Sequence, residues 1–165
     1  MWIYLIRHGF AEAPSPGQKD EERALTQEGR SQLHLAGITW NKVVTTPDVV
    51  FTSPYLRARE TATTFAEAVG FYGQLRPEAA LVPHATPEQA IAMLEGELLA
   101  QTAGVAVIGH EPLLGCLLGS LLTGNPQLSI PFQQGMLAAL QTESNTTLIA
   151  GLRFSLNQSA ACKLT

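Results

Sequence analysis

The stretch MWIYLIRHG, residues 1–9, sets the expected fold of the chain. Its apolar run at 2–6 is continuous and rich in β-forming residues, which is typical of a strand buried on both faces. The run stops abruptly at Arg7, His8 and Gly9. Two interpretations are open. Either these residues only mark where the strand leaves the core, or the strand holds them over a site.

The composition is that of a globular protein. Apolar residues make up 45% and charged residues 15% of the 165 residues, so we expect a single domain over 1–165. Lys and Arg together number ten, and the formal net charge is −4. Binding to a phosphate backbone needs clustered cations, so we expect no nucleic-acid partner.

Neither a secretory leader nor a membrane segment is expected. The N-terminal apolar run is too short for a signal-peptide core and has no basic region before it, and no stretch reaches the roughly 18 apolar residues of a membrane helix. Cys116 and Cys162 lack metal-binding spacing and are expected to be reduced thiols, although two cysteines could pair in a secreted protein. We therefore expect a cytoplasmic protein, a monomer or weak oligomer, with no membrane partner.

Helix signals recur between the apolar segments. Thr26 is a predicted N-cap, and Ser53-Pro54 matches an N-cap followed by a proline in the first helical position. Gly70 matches the glycine that commonly follows a helix. We predict helices over 25–40, 54–70, 86–101 and 111–124.

Strands are predicted between these helices. They lie at 2–7, 49–53, 80–82, 104–108, 135–142 and 146–155, the last two paired as a hairpin across 143–145. Strands that alternate with helices indicate a mostly parallel sheet with helices on both faces. The expected fold class is therefore α/β, a three-layer α/β/α sandwich with an antiparallel edge.

Polar side chains follow three of the predicted strands. Arg7 and His8 come after one, Ser53 and the nearby Arg57 after another, and His110 after a third. The carboxyl ends of parallel strands share one edge, where ligands bind in open α/β sheets. Two helix N-termini at this edge favour an anion. We therefore expect an oxyanion or phosphate pocket.

Each of these residues alone has a simpler explanation. A single Arg or His at a strand end is usually a solvated exit from the core, but four at one edge favour a site. Of the other histidines, His34 is expected to be a surface or half-buried residue and His84 is left open. Zinc sites use several Cys or His ligands at set spacings, which the segment GHEP lacks, and neighbouring arginines repel a cation. We expect no metal and no cofactor.

A phosphoryl group at this edge would need fixed cations and a nucleophile. The guanidinium forks of Arg7 and Arg57 match two phosphate oxygens. His8 beside those arginines should have a lowered pKa, and a neutral imidazole is a competent nucleophile. His110 is expected either to remain protonated or to become so when phosphate binds, and to stabilise the charged oxygens.

Three motifs in order carry a resemblance to a known family. LIRHG near the N-terminus, TSPYLRARETA around Arg57 and VIGHEP around His110 together resemble the signature of the histidine phosphatase superfamily, and RALTQEGRSQ is similar to its LTxxG helix start. The resemblance runs from residue 2 to about 155 and implies a phosphoglycerate mutase-like fold. The chain has no room for the lid insertions of the mutases, so it looks closest to the SixA-type phosphohistidine phosphatases.

The resemblance implies a phosphoenzyme mechanism. His8 would attack phosphorus and become transiently phosphorylated, water would release phosphate, and three further catalytic residues, Arg7, Arg57 and His110, would complete the pocket. Arg23 resembles a phosphate-side arginine of the short members. The candidate substrate-binding residues are therefore Arg23, Gly9, Ser53 and His84.

Two departures from the family pattern bear on the substrate. Phe10 stands where relatives carry a carboxylate, and the glutamate acid of larger members has no clean match, because the corresponding stretch offers His84 or Glu88. A missing acid costs an alkoxide leaving group about 10²–10⁴-fold. Phosphohistidine can instead carry a proton on its remote ring nitrogen and leave as neutral imidazole, so we expect phosphohistidine in a signalling or phosphotransfer protein as substrate.

Two alternatives stay open. One is a phosphomonoesterase for a small phosphorylated metabolite, with His84, Glu88 or Glu12 as the acid. The other, favoured less, is a module that binds a phosphorylated ligand with negligible turnover, because binding alone does not need a histidine beside the arginines.

Overall fold

A computed structural model describes residues 1–142, 144 and 146–164 of the chain. Within these residues six strands and five α-helices follow one another. The strands are β1 (Trp2–Arg7), β2 (Val49–Thr52), β3 (Leu75–Pro77), β4 (Gly104–Gly109), β5 (Leu137–Thr142) and β6 (Ala150–Leu156). The helices are α1 (Gln27–Val43), α2 (Leu56–Ala68), α3 (Pro87–Leu99), α4 (Leu113–Thr123) and α5 (Gln158–Lys163).

One sheet in the order β3-β2-β4-β1-β5-β6 contains all six strands. Strands β3, β2, β4 and β1 are parallel, whereas β5 runs antiparallel to β1 and β6 antiparallel to β5. The predicted α/β class, with a mostly parallel sheet and an antiparallel edge, is confirmed. Strand β1 lies in the middle of the sheet, which explains why its sequence is apolar without alternation.

Helices cover both faces of the sheet. Ile3 and Leu5 of β1 pack into a cluster with residues of α3 and α4, and Tyr4 and Ile6 pack into a cluster with residues of α1, α2 and α5. All four side chains are at most 1% exposed. Burying each is worth about 1.5–3 kcal/mol, so β1 is a firmly anchored strand.

Two of the predicted helix boundaries are confirmed. The Thr26 hydroxyl accepts the Gly29 N–H at 2.9 Å and caps α1. Gly70 follows α2 with a left-handed φ of 68°, a conformation that glycine adopts without a Cβ clash.

The predicted start of α2 is wrong by two residues. The helix begins at Leu56, not after a Ser53 cap, because the Ser53 N–H still bonds to the Ile108 carbonyl at 2.9 Å and extends the β2–β4 ladder. The Ser53 hydroxyl accepts the Tyr55 N–H at 3.3 Å, so it closes a turn ahead of the helix.

The strand predicted at 80–82 is also wrong. Ala79–Leu81 form a turn of 3-10 helix, and the edge strand β3 lies a few residues earlier. The Glu78 N–H bonds to the Thr52 carbonyl and the Leu81 N–H bonds to the Glu78 carbonyl, so the chain leaves the sheet there. Leu81 is fully buried, which gave this segment its strand-like apolar character.

The C-terminal region adds one unpredicted element. The hairpin of β5 and β6 is confirmed by their antiparallel pairing, although Glu143 and Asn145 of the predicted connection lie outside the described residues. Helix α5 follows, with its first turn capped by the Asn157 side chain, and Ala161 is buried in the cluster that contains residues of α1.

Across the described ranges, no helix is both long and apolar enough to cross a membrane.

Candidate active site

The carboxyl ends of three strands are level at the centre of the sheet. Arg7 of β1 lies opposite Gly109 of β4, and Ile108 lies opposite Thr52 of β2. The residues that follow therefore leave the sheet side by side. The His8 and His110 rings lie 4.9 Å apart between centroids, with their planes inclined by 58°.

His8 is held as a neutral, directed imidazole. Its Nδ1 lies 2.8 Å from the Gly9 carbonyl, which can only accept, so Nδ1 carries the proton and Nε2 carries the lone pair. The ring is 7% exposed. Burial, together with the charges of Arg57, Arg7 and Arg23, lowers the pKa of His8 to about 4, against the hydrogen bond to Gly9, which raises it. The predicted lowering is confirmed, with burial as its main cause.

Gly9 fixes this turn by close packing. Its N–H donates to the Thr61 hydroxyl at 3.2 Å, and that hydroxyl donates in turn to the Arg57 carbonyl at 2.7 Å. A Cβ added to Gly9 would lie 2.8 Å from a methyl carbon of Leu33. The loop that carries His8 therefore packs directly on α1 and α2.

The surroundings of His110 favour its neutral form, against the alternative that it remains protonated. Burial, together with nearby His8, Arg57 and Arg7, lowers its pKa to about 2, and the charge of Asp20 opposes this. Its Nε2 lies 2.8 Å from the hydroxyl of fully buried Ser53. The other alternative, protonation when phosphate binds, stays a prediction.

Arg57 is almost fully buried and bonds to Asp20. Its Nη1 donates to the Asp20 carbonyl at 2.6 Å, and its Nη2 donates to the Asp20 carboxylate at 2.9 Å. The predicted substrate-side Arg23 donates to the other oxygen of the same carboxylate through Nε at 2.7 Å and Nη2 at 2.6 Å. The two arginines hold the pKa of Asp20 below its ordinary value, against the opposing effect of burial.

Arg7 is held by the main chain of another loop. Its Nη1 donates to the Phe132 carbonyl at 2.6 Å, while the Phe132 N–H donates to the Glu111 carboxylate at 2.9 Å. Burial lowers the pKa of Arg7, and the charge of Glu111 raises it. Glu111 therefore fixes the loop that orients Arg7.

Three buried nitrogen atoms at this edge have no hydrogen-bond partner among the described residues. They are Arg7 Nε, Arg57 Nε and His110 Nδ1. Guanidinium Nε groups are obligate donors, and buried donors are normally paired. The two arginines therefore keep unused N–H donors that an anion at this edge could pair.

The other candidates are not brought to these side chains. His84 is exposed on the turn before α3, and no contact in the described part of the chain joins its ring to His8 or His110. Glu88 is exposed in the first turn of α3, and hydrogen bonds from its own N–H and from Thr86 lower its pKa, opposite to what a general acid needs. Glu12 is exposed and His34 lies exposed on α1.

No role was assigned from the sequence to several residues around the pocket. Asp20 and Glu111 orient the two arginines, and Tyr55 packs its ring 5.2 Å from His110 and 5.0 Å from the Arg57 guanidinium. Glu111 directly follows His110 in the GHEP motif, so its place in that motif could have identified it as a residue of the site. Asp20 lies in a charged loop with no local pattern to mark it.

Among the residues that the structure describes, no three or more His, Cys, Asp and Glu side chains are grouped to hold a metal ion.

The fold and this edge define an α/β protein in which cations and imidazoles surround one pocket at the strand ends. A family model described as the histidine phosphatase superfamily (branch 1) matches residues 3–82. The phosphohistidine phosphatase SixA of Escherichia coli is 31% identical over 128 residues, which are 75% of this chain and 76% of that protein. The chain therefore belongs to the histidine phosphatase superfamily, as its motifs predicted.

Two further similarities cover nearly the whole chain. A SixA homolog of Haemophilus influenzae is 29% identical over 158 residues, which are 90% of this chain and 93% of that one. A solved structure of the protein histidine phosphatase SixA complexed with tungstate matches with a TM-score of 0.87 at 22% identity and covers 100% of both chains. The second similarity concerns the fold alone and supports the predicted phosphoglycerate mutase-like sandwich.

Proposed function

We propose that this protein is a phosphatase that transfers a phosphoryl group from phosphohistidine to His8 and then to water. The observation that carries the proposal is the state of His8. Its Nδ1 proton is committed to the Gly9 carbonyl at 2.8 Å, so the Nε2 lone pair is free in a ring that stays neutral well below pH 7. A neutral imidazole with one fixed tautomer is a nucleophile that needs no separate base.

The surrounding side chains supply donors for a phosphoryl group. Arg7 and Arg57 lie close enough to His8 for their charges to lower its pKa, and each retains an unpaired Nε–H; the Nδ1 of His110 is also unpaired. Fixed donors of this kind stabilise the charge that spreads over the phosphoryl oxygens during transfer. When the phosphoryl group binds, it would displace the Asp20 carboxylate from the guanidinium of Arg57.

In the first step, His8 Nε2 forms a bond to phosphorus as the P–N bond of the substrate breaks. The electron pair of that bond stays on the leaving imidazole, which is neutral because its remote nitrogen already holds a proton. In the second step, a water oxygen bonds to phosphorus and the P–Nε2 bond breaks. The electron pair returns to His8, and the water protons end on the released phosphate or its solvent.

The substrate preference we expect depends on whether the leaving group needs a proton donor. His84 and Glu12 are exposed, and exposed Glu88 has a lowered pKa, so these three supply no buried proton donor. An alkoxide leaving group lacks about 10²–10⁴-fold of acceleration without such a donor. Phosphohistidine does not need one, and the similarity to the E. coli protein named phosphohistidine phosphatase points the same way. A phosphorylated signalling or phosphotransfer protein in the cytoplasm is the substrate we infer.

A substrate panel tests the proposal. Purified protein is assayed with phosphohistidine, phosphoramidate and a set of sugar phosphates at equal concentration, and kcat/KM is compared. We expect the P–N substrates to be hydrolysed faster by about 10²-fold or more, the lower range of a missing acid. Faster hydrolysis of sugar phosphates would favour the phosphomonoesterase alternative. Phosphate binding without turnover of any of them would favour a binding module.

Metal independence is part of the same proposal. The charge in the pocket is supplied by guanidinium groups, so dialysis against a chelator should leave kcat unchanged. Activity that disappears on chelation and returns with one added divalent cation would contradict this.

A further inference from the structure

A groove of about 760 Å³ adjoins the pocket on the Arg7 side. It runs between α1, α5 and the loop before β5, and Arg7 lines it. A phosphoryl group held by the arginines and histidines occupies only the end of such a volume, which lies in the range of ligand pockets of about 300–1,000 Å³. The rest can accept the molecule to which the phosphoryl group is attached.

The apolar wall of the groove is formed by Phe10 and Leu35, which are 44% and 47% exposed. The Phe10 carbonyl accepts the Thr26 N–H at 2.9 Å, so the backbone of Phe10 is tied to the start of α1. Phe10 is also two residues from His8. A large apolar side chain at a fixed position beside a nucleophile is suited to select the residues that flank the phosphorylated group.

Uncharged amides supply the polar wall. Gln32, Gln133, Gln134 and Gln158 line the groove, and none of the described residues that line it is a carboxylate. Gln158 is 4% exposed, and neither its amide oxygen nor its amide nitrogen has a hydrogen-bond partner among the described residues. Buried amides are normally paired, so this one has an unused donor and acceptor.

The position of Gln158 connects the groove to the nucleophile. A Cβ built on Gly135 would lie 2.6 Å from the amide oxygen of Gln158, so the amide lies against that glycine. The Gly135 N–H in turn lies 3.1 Å from the His8 carbonyl. An amide pair with one donor and one acceptor matches the N–H and C=O of a peptide unit.

We propose that this groove binds the polypeptide segment next to the phosphorylated histidine, with an apolar side chain of that segment against Phe10 and Leu35 and its peptide units against the glutamine amides. The inference rests on the proposed function and adds to it a second subsite that selects uncharged, apolar sequence. A sugar would leave the apolar wall without an apolar partner. Among the described residues that line the groove, Lys163 is the one cation besides Arg7 that could pair with an acidic flank.

The test compares two substrates in three proteins. The substrates are free phosphohistidine and a ten-residue phosphohistidine peptide with leucine beside the phosphorylated residue. The proteins are the wild type, Leu35→Ser and Ile38→Ser. Ile38 is a matched control because it lies on the same helix, is 48% exposed and is outside the groove lining.

We expect the wild type to prefer the peptide in kcat/KM. Leu35→Ser should lower that preference about 5–10-fold, mostly through KM, because part of an apolar contact is lost. Ile38→Ser should leave the preference as in the wild type. Phe10→Ala should act in the same direction as Leu35→Ser, and both changes are at half-exposed positions that the fold tolerates.

Failure of the groove and failure of the catalytic pocket are distinguishable. If the protein hydrolyses both substrates with equal kcat/KM, or if Leu35→Ser and Ile38→Ser behave alike, the groove is not the subsite and the proposed phosphatase activity stands. If neither phosphohistidine substrate is turned over, the proposed function fails and this inference falls with it.

Discussion

The two halves of the pocket are held by different kinds of partner. On the β1 side, His8 donates to the Gly9 carbonyl and Arg7 donates to the Phe132 carbonyl, so main-chain oxygens fix both side chains. On the β2–β4 side, His110 lies against the Ser53 hydroxyl and Arg57 also bonds to the Asp20 carboxylate. Side chains carry much of the support there.

This difference separates a fixed half from an adjustable one. A main-chain carbonyl neither ionises nor changes its hydrogen-bonding role. The tautomer of His8 and the orientation of Arg7 therefore do not depend on the protonation state of their partners. A carboxylate can be displaced by phosphate, and a hydroxyl can donate or accept. We infer that the nucleophile is prearranged and that the opposite wall responds to the phosphoryl group. Substitutions in each half can test whether their supports differ in this way.

Among the substitutions that compare the two halves, removing either arginine should have the largest effect. Arg7→Ala and Arg57→Ala should each lower kcat/KM by about 10²–10³-fold, the usual loss for one fixed donor to a transition state. Only Arg57→Ala should also loosen the segment around Asp20, which limited trypsin digestion at Lys19 would reveal. Equal digestion of the two variants would contradict the contrast in their supports.

The second effect concerns stability at acid pH. The pKa of His8 is lowered to about 4 in the folded protein and is near 6.5 when unfolded, so the unfolded state binds the proton more readily. The stabilisation from neutral His8 is therefore complete above pH 6.5 and is lost as pH falls toward 4. Urea unfolding at pH 7 and pH 4.5 should show a drop that is about 2 kcal/mol smaller in His8→Gln than in the wild type.

The lowered pKa of His8 should also be visible in the pH dependence of activity. The acid limb of kcat/KM with phosphoramidate should lie nearer pH 4 than pH 6.5, because the free enzyme needs neutral His8. A limb at pH 6.5, or an equal drop in stability in both proteins, would show that His8 is not held neutral by its surroundings.

A smaller effect is expected on the adjustable side from Ser53→Ala. The change removes the hydroxyl 2.8 Å from His110 Nε2 and should lower kcat about tenfold through loss of orientation. Ser53→Thr keeps the hydroxyl and should restore most of the activity. If both variants lose activity equally, the packing at this buried position matters and the hydroxyl does not.

The smallest effect is expected from Asp20→Asn. If the Asp20 carboxylate competes with phosphate for Arg57 and Arg23, as we propose, its neutralisation should tighten inhibition by inorganic phosphate about 2–5-fold, a range set by partly exposed ion pairs. Glu22→Gln removes an exposed charge from the same segment and serves as the control. An unchanged inhibition constant in Asp20→Asn, or the same change in both variants, would show that Asp20 does not yield to phosphate.

The sequence predicted that the histidine and arginine side chains of the pocket meet at one edge of the sheet. A continuous apolar strand and the rule that parallel strands end at one edge were enough to bring His8 and His110 together. The same reasoning supplied Arg57, because the helix after β2 starts at that edge. These features depend on local sequence patterns and on strand topology, and both can be inferred from the order of the residues.

The residues that support the adjustable half were harder to predict from the sequence. Asp20 lies in a loop whose folding over Arg57 is set by contacts 37 residues apart, with no periodicity to report them. Ser53 looked like a helix cap because its type fits one, but the sheet ladder keeps its backbone extended. At 80–82, burial of Leu81 in a turn produced the same apolar signal as a strand.

The central claim is that His8 carries the phosphoryl group during turnover. Its most direct test is rapid quenching of the protein with ³²P-labelled phosphoramidate, followed by mapping of the bound label in the wild type and in His8→Ala. We predict label that is stable to alkali, labile to acid and located on His8, with neither label nor turnover in the variant. Label on another residue, or full turnover by His8→Ala, would contradict the account.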